Sequence, residues 1–343
     1  MKKRKPNLQR LLSVLLLAFT LGMVLWIGLR DNDLADLAAA LRKLSPAFLL
    51  LCLVCWALYV LFDALTIHHF LRTQGYRLKL RQSLHSAMTF IYYCNITPGA
   101  SGGQPMQMYC LSKYGVPVGV SGSGMAVKFV AFQSVLLLSG AVLWLCQWDF
   151  VTAYASGSRW FILLGYIANF FTIGMVLLMA ISQKAVRWVI ERCICIGVKL
   201  KMCKDPAASR ERWENHCRSF LSSVKLLMKS PRDLLIQCLI ALGQLLSLML
   251  VIVVIYRALG LSGLSVLQLV TLGTLLYIGA SYVPLPGASG AQEGGFAALF
   301  RFVFPQASLF IALLLWRFTT YYLSVLVGAV MVTVENLRGL AGD

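Results

Sequence analysis

Apolar residues come in long runs along this chain, separated by short polar segments. Several runs reach the roughly 20 residues that cross about 30 Å of hydrocarbon as a helix. Six full spans are predicted, at 10–29, 47–67, 118–146, 160–181, 234–256 and 307–333. Two further apolar helices, 83–94 and 265–282, each run into a Pro- and Gly-rich break. The first falls short of a span, and the second leaves both a hairpin arm and a full span open. The run Leu11–Leu29 follows the basic stretch "MKKRKPNLQR". It is longer than the roughly 7–15 residues of a signal-peptide core and precedes no small-residue cleavage site, so it is expected to be retained.

Composition agrees with the pattern. The chain is 59% hydrophobic and 13% charged, with a mean hydropathy of +0.76. That excludes a pair of soluble domains and predicts an all-α, polytopic membrane bundle forming one integral domain over 1–343. The net charge of +18 sits in the loops, which suits topology and anionic lipid headgroups rather than nucleic acid. Loop 68–84 carries Arg72, Arg77, Lys79 and Arg81 without an acid, and 182–233 carries twelve basic against five acidic residues. Both belong inside, with the "MKKRK" start. Arg30–Lys43, with three residues of each sign, and 147–159, with one of each, suit the outside. The expected location is a bacterial cytoplasmic membrane with both termini cytoplasmic. Within 182–233, Trp213, Cys217, Phe220, Leu221, Val224 and Met228 share one face of a basic amphipathic helix suited to the inner leaflet.

These assignments agree only if 83–115 enters the membrane and returns to the same side. At its centre stands "ITPGASGGQP", and "VPLPGASGAQE" at 283–293 nearly repeats it. A span begins about 51 residues before each motif proline and another about 20 after it. The chain therefore reads as two copies of span, broken hairpin and span, over 47–146 and 234–333. The intervening spans turn the second copy upside down, the inverted-repeat plan of many transporters, and the tips can meet near the midplane.

The motif residues Pro98, Gly99, Ser101, Gly102, Gly103 and Gln104, with Pro286, Gly287, Ser289, Gly290, Gln292 and Glu293, form the candidate binding site. Pro and Gly end one helix, and Ser101–Gln104 and Ser289–Gln292 have the spacing of capping boxes that start the next. Helix starts favour anions, and the glycines would admit a bulky headgroup. Lys128 and Arg317 follow the two motif prolines by 30 and 31 residues, each roughly 15 Å into its helix. Cations at that depth need a partner or a wet cavity. A phosphate clamp is the expected use, with Glu293 balancing charge, titrating, or pairing with Arg317 or Lys128. Asp63 is expected near the inner interface beside a loop arginine. His68 and His69 are expected as interfacial anchors, and Tyr92, Tyr93, Tyr277, Tyr282, Tyr321 and Tyr322 as belt residues. Ten cysteines include Cys193, Cys195 and Cys203 near His216, but their irregular spacing argues against zinc. No metal, cofactor or catalytic constellation is expected.

At "ITPGASGGQPMQMYCLSKYG", "PLPGASGAQEGGF" and "WRFTTYY" the chain resembles the transmembrane region of lysylphosphatidylglycerol synthases, also called the flippase-like or uncharacterised protein family 0104 group. The resemblance implies movement of a phospholipid or lipid-linked headgroup between leaflets, with Pro98, Gly102, Gly103, Gln104, Pro286, Gly287, Glu293 and Arg317 lining the lipid site. In full-length multiple peptide resistance factors such a region accompanies a soluble domain that transfers lysine from lysyl-tRNA to phosphatidylglycerol. The flippase part then exposes the product, which repels cationic peptides. Here only "ENLRGLAGD" follows the last span, which leaves no room for that domain. A phosphatidylglycerol lysyltransferase is the alternative, by family name or with a separate soluble synthase subunit as partner. An ion-coupled transporter of a small polar solute is the third reading. Aminoacylated phosphatidylglycerol, a polyprenyl-phosphate sugar and plain phosphatidylglycerol all present the required phosphate.

Overall fold

The computed structural model describes residues 45–181 and 230–340, with two further helical positions, Gly22 and Ser222. The predicted span 10–29, most of the basic insert and the cysteine cluster at 193–217 lie outside the described residues. Within them every regular element is a helix. Five helices are long and apolar enough to cross a membrane: Pro46–Thr73, Val118–Cys146, Trp148–Leu178, Pro231–Ala258 and Ser308–Glu335.

The first long helix, α1 (Pro46–Thr73), starts where Ser45 accepts a hydrogen bond from the Ala47 N–H at 3.3 Å and Pro46 takes the first helical position. The helix α7 (Pro231–Ala258) starts the same way, with Ser230 accepting from the Asp233 N–H at 3.3 Å and Pro231 following. A serine cap satisfies an orphan amide, and proline loses nothing at a position whose N–H has no partner. The two helices pack along much of their length. Within its best 18-residue window α7 is 56% buried against 22% for α1, so α7 is the central post of the bundle.

After α1 the chain forms a broken hairpin of α2 (Leu80–Ile96), a single tight turn at Pro98–Ala100 and α3 (Gly103–Lys113). Next come α4 (Val118–Cys146), the short α5 (Trp148–Ala155) and α6 (Arg159–Ile181). The segment 147–159, expected as a loop, is therefore largely helical and continuous with the span that follows. After α7 stands the second hairpin, α8 (Val266–Ala280), a turn at Pro286–Ala288 and α9 (Ala291–Phe300). With 15 residues α8 is too short to span, although it packs against the long helices α4, α6 and α7. The last span is α10 (Gln306–Arg317), a wider π-helical turn at Phe318–Tyr322, and α11 (Leu323–Leu340).

Two packing clusters hold the hairpins. Phe296 stacks on Phe300 at 4.5 Å and on Trp316 at 5.1 Å, clamping α9 to α10. Ile67, Phe70, Leu111, Val120 and Met125 seat α3 between α1 and α4. Between apolar helices in lipid, close packing of this kind and polar contacts supply the association that water supplies elsewhere.

Candidate functional site

Both hairpins break with the same backbone. Gly99 (φ 59°, ψ 26°) and Gly287 (φ 59°, ψ 23°) are left-handed, and so are the alanines after them, Ala100 at φ 55° and Ala288 at φ 49°. Left-handed alanine costs about 1–2 kcal/mol, and the chain accepts that strain twice at matched positions. The two turns lie against each other, and the second also touches α2.

A cavity of about 470 Å³ opens between them. Of the predicted site, Gly99, Ser101, Gln104, Lys128, Gly287, Gln292 and Arg317 line it. Pro98, Gly102, Gly103, Pro286, Ser289, Gly290 and Glu293 do not line it. Its rim carries the exposed Gly99, Ala100, Ser101 and Leu285, whereas Asp63, Lys128, Gln244 and Arg317 are buried at its base.

The capping boxes predicted at Ser101–Gln104 and Ser289–Gln292 do not form. Each serine hydroxyl instead donates back to its motif proline carbonyl, at 2.9 Å for Ser101 and 2.7 Å for Ser289. The left-handed alanine before each serine turns it toward the incoming arm, and the next helix starts later. Gly102 precedes α3 and donates its N–H to Thr97 Oγ1 at 2.9 Å. Gly290 precedes α9 and donates its N–H to Glu293 Oε2 at 2.6 Å. A carboxylate of the protein itself thus occupies the positive end of α9, where an external anion was expected.

Three motif glycines make room for protein rather than for a headgroup. A Cβ on Gly102 would lie 2.6 Å from the Thr97 side chain, one on Gly103 2.1 Å from Cys94 Sγ, and one on Gly287 2.2 Å from the Tyr321 ring.

Both deep cations are paired. Lys128 Nζ is 2.7 Å from Asp63 Oδ1, donates to Gln107 Oε1 at 3.3 Å, and sits 3.6 Å from the Phe90 ring centroid. Gln244 of α7 donates to the other Asp63 oxygen at 3.1 Å. Asp63 is therefore a fully buried member of the site, not an interfacial residue beside a loop arginine. Lys128 joins α4 to α1 through Asp63 and to both arms of the first hairpin through Phe90 and Gln107. Arg317 does the equivalent for the second hairpin. Its Nε lies 2.7 Å from Glu293 Oε1, a close ion pair without hydrogen-bond alignment, and its terminal nitrogens donate to the Gly287 carbonyl and Ser289 Oγ at 3.2 Å.

Tyr321 ties the two halves together. The π-helical turn puts its ring 4.6 Å beneath the Arg317 guanidinium and against Gly287, while its hydroxyl donates to the Asn95 carbonyl of the first hairpin at 3.3 Å. A single wide turn of this sort re-aims the side chains that follow it. Tyr321 and Tyr277 are interior residues of the site rather than belt residues, whereas Tyr282 is exposed at the rim. Trp316, Tyr59 and Gln244 also line the cavity and escaped the sequence reading. Polar side chains inside apolar spans, Asp63 in α1 and Gln237 and Gln244 in α7, were the available signal.

At the end away from its turn the first hairpin is tied to α11. His85 Nε2 lies 2.8 Å from Glu335 Oε1, and His85 Nδ1 meets Tyr114 Oη at 2.8 Å and Cys110 Sγ at 3.3 Å. His68 Nδ1 hydrogen-bonds Ser83 Oγ at 3.0 Å, and His69 Nε2 lies 3.2 Å from Asp233 Oδ1 without hydrogen-bond alignment, contacts that join α1 to α2 and α7. These histidines bridge helices within the protein. Among the described residues no three His, Cys, Asp or Glu side chains are grouped to hold a metal ion.

The comparisons agree with this architecture. A UPF0104 membrane protein of Archaeoglobus fulgidus is 25% identical over 266 residues, 77% of this chain and 79% of the relative. Residues 11–328 match the family described as "Lysylphosphatidylglycerol synthase TM region", a match over nearly the whole chain, and the protein belongs to that family.

Proposed function

We propose that the protein moves a phosphate-bearing phospholipid or lipid-linked headgroup across the cell membrane. The observation that carries this reading is the meeting of two near-identical broken-helix turns at a cavity that holds buried charged side chains, in a bundle of long apolar helices. In this reading the bundle has six spans and two hairpins that enter from opposite faces, and residues 47–146 and 234–333 are inverted copies. The matched Ser-Pro starts of α1 and α7 and the matched left-handed turns support that symmetry. The headgroup occupies the cavity while its acyl tails stay in lipid, and the copies rock about the shared turns.

The lysyltransferase reading asks for a reachable general base to activate the lipid hydroxyl, or a reachable protein nucleophile. The nearest arrangement, Cys110–His85–Glu335, has its thiol buried and its imidazole Nδ1 bonded more closely to Tyr114. It is better suited to fastening the first hairpin to α11.

The test is lipid movement in vesicles reconstituted with the full chain, followed by surface quenching of an acyl-labelled lipid. Wild-type protein is expected to move lipid at least tenfold faster than Arg317→Ala. Equal rates in the two would overturn the translocation reading.

A further inference from the structure

The charge count at the cavity narrows the headgroup, on the assumption that the site is the lipid site proposed above. Among the described residues, Lys128, Asp63 and Arg317 line it and Glu293 backs Arg317, so two cations meet two carboxylates, each pair at 2.7 Å. All four side chains are more than nine-tenths buried. The pocket is thus electrically balanced. A ligand of net negative charge has to draw Arg317 or Lys128 from its carboxylate, which strands an uncompensated charge away from water. A headgroup that carries one anionic and one cationic group avoids this, because each of its charges replaces the partner it displaces.

The remaining wall has the same two-sided character. Two buried polar atoms lack protein partners there, the Trp316 Nε1–H donor and the Gln292 Oε1 acceptor. Trp316 is 3% exposed and Gln292 6%. One can meet a phosphate oxygen and the other an ammonium hydrogen. The aromatic wall already holds cations on its faces, Lys128 over Phe90 at 3.6 Å and Arg317 over Tyr321 at 4.6 Å. Tyr59, Phe132 and Tyr277 offer further ring surface for an ammonium group.

We infer that the cavity selects a zwitterionic headgroup, a phosphate diester bearing one ammonium group, over a purely anionic one.

Retention of lipid by the purified full-length protein, read by native mass spectrometry, tests this independently of transport. The probes are phosphatidylethanolamine, phosphatidylglycerol and lysylphosphatidylglycerol, offered together at neutral pH. Wild-type protein is expected to retain phosphatidylethanolamine at least tenfold over phosphatidylglycerol and several-fold over the lysylated lipid. Glu293→Gln removes one negative charge and is expected to shift the ratio at least tenfold toward phosphatidylglycerol. Asp63→Asn should do the same at the other pair, which covers the case in which one variant fails to fold. Wild-type preference for phosphatidylglycerol, equal retention of all three, or folded variants with an unchanged ratio would overturn the inference. Zwitterion preference without movement in vesicles would uphold the headgroup class and sink translocation, whereas movement with an anionic preference would do the reverse.

Discussion

The first and second motifs share six of seven residues but sit in opposite surroundings. Pro98, Gly99, Ala100, Ser101 and Gln104 are exposed, whereas Pro286, Ser289, Gln292 and Glu293 are buried. The ion pairs explain much of the contrast. Glu293 lies in the second hairpin, so Arg317 grips that hairpin by a carboxylate, a carbonyl and a hydroxyl at once. The first hairpin has no acid of its own. Lys128 finds its carboxylate on α1 and holds the hairpin by Gln107 and the Phe90 face alone. The one sequence difference has a steric cause. Gly103 lies where a Cβ would be 2.1 Å from Cys94 Sγ and 3.0 Å from the Phe90 carbonyl, so the alanine found at 291 does not fit there. Equal turns therefore serve unequal roles, with the second an anchor and the first the more open partner.

The strongest way to break this comparison is to remove each cation. Arg317→Ala strands Glu293 and frees the Gly287 carbonyl, and loss of one partner of a buried pair costs about 3–5 kcal/mol. Thermal unfolding in detergent should register that loss, and amide exchange should rise sharply across 286–293. Lys128→Ala strands Asp63 at a similar cost in stability, yet exchange at 98–102 should barely change, since that turn is already exposed. Equal rises at both turns would erase the distinction between anchor and open partner.

A smaller effect separates the two left-handed glycines. Gly99 has open space where its Cβ would stand, so Gly99→Ala meets backbone strain alone, about 1–2 kcal/mol. Gly287→Ala meets the same strain plus the Tyr321 ring at 2.2 Å. That ring cannot swing aside without leaving Arg317 and the Asn95 carbonyl, so overpacking adds about 1–3 kcal/mol. The second variant should melt several degrees below the first, and coincident melting curves would contradict the packing described for Tyr321.

Much of this architecture was legible in the sequence because lipid makes the code simple. Length and apolarity located the five described spans, and two copies of a Pro-Gly break at matched offsets located both hairpins. Seven of the fourteen proposed site residues reach the cavity wall. What stayed hidden depends on direction rather than position. Ser101 and Ser289 have the spacing of helix caps, but the left-handed alanine before each turns the hydroxyl back to the proline carbonyl. Depth misled at Asp63, which lies late in its span by count, yet α1 continues to Thr73 and carries it into the interior. The pairing of Lys128 with a carboxylate 65 positions away is a tertiary fact that no local pattern encodes.

The finest discrimination lies in the serines, which have the same neighbours in sequence and make the same bond to a proline carbonyl. Ser101 is exposed, so water replaces its hydroxyl in Ser101→Ala, and the change should stay within about 0.5 kcal/mol. Ser289 is 4% exposed and also accepts from an Arg317 terminal nitrogen at 3.2 Å. Hydrogen bonds to charged groups contribute about 1.5–3 kcal/mol. Ser289→Ala leaves Arg317 with the Gly287 carbonyl and Glu293 as partners, so the lower end of that range applies. Ser289→Cys keeps the volume and weakens the acceptor, and should fall between alanine and wild type in unfolding temperature. If Ser101→Ala and Ser289→Ala instead destabilise the protein equally, the second turn owes its burial to packing alone and the Arg317 fork is not what anchors it.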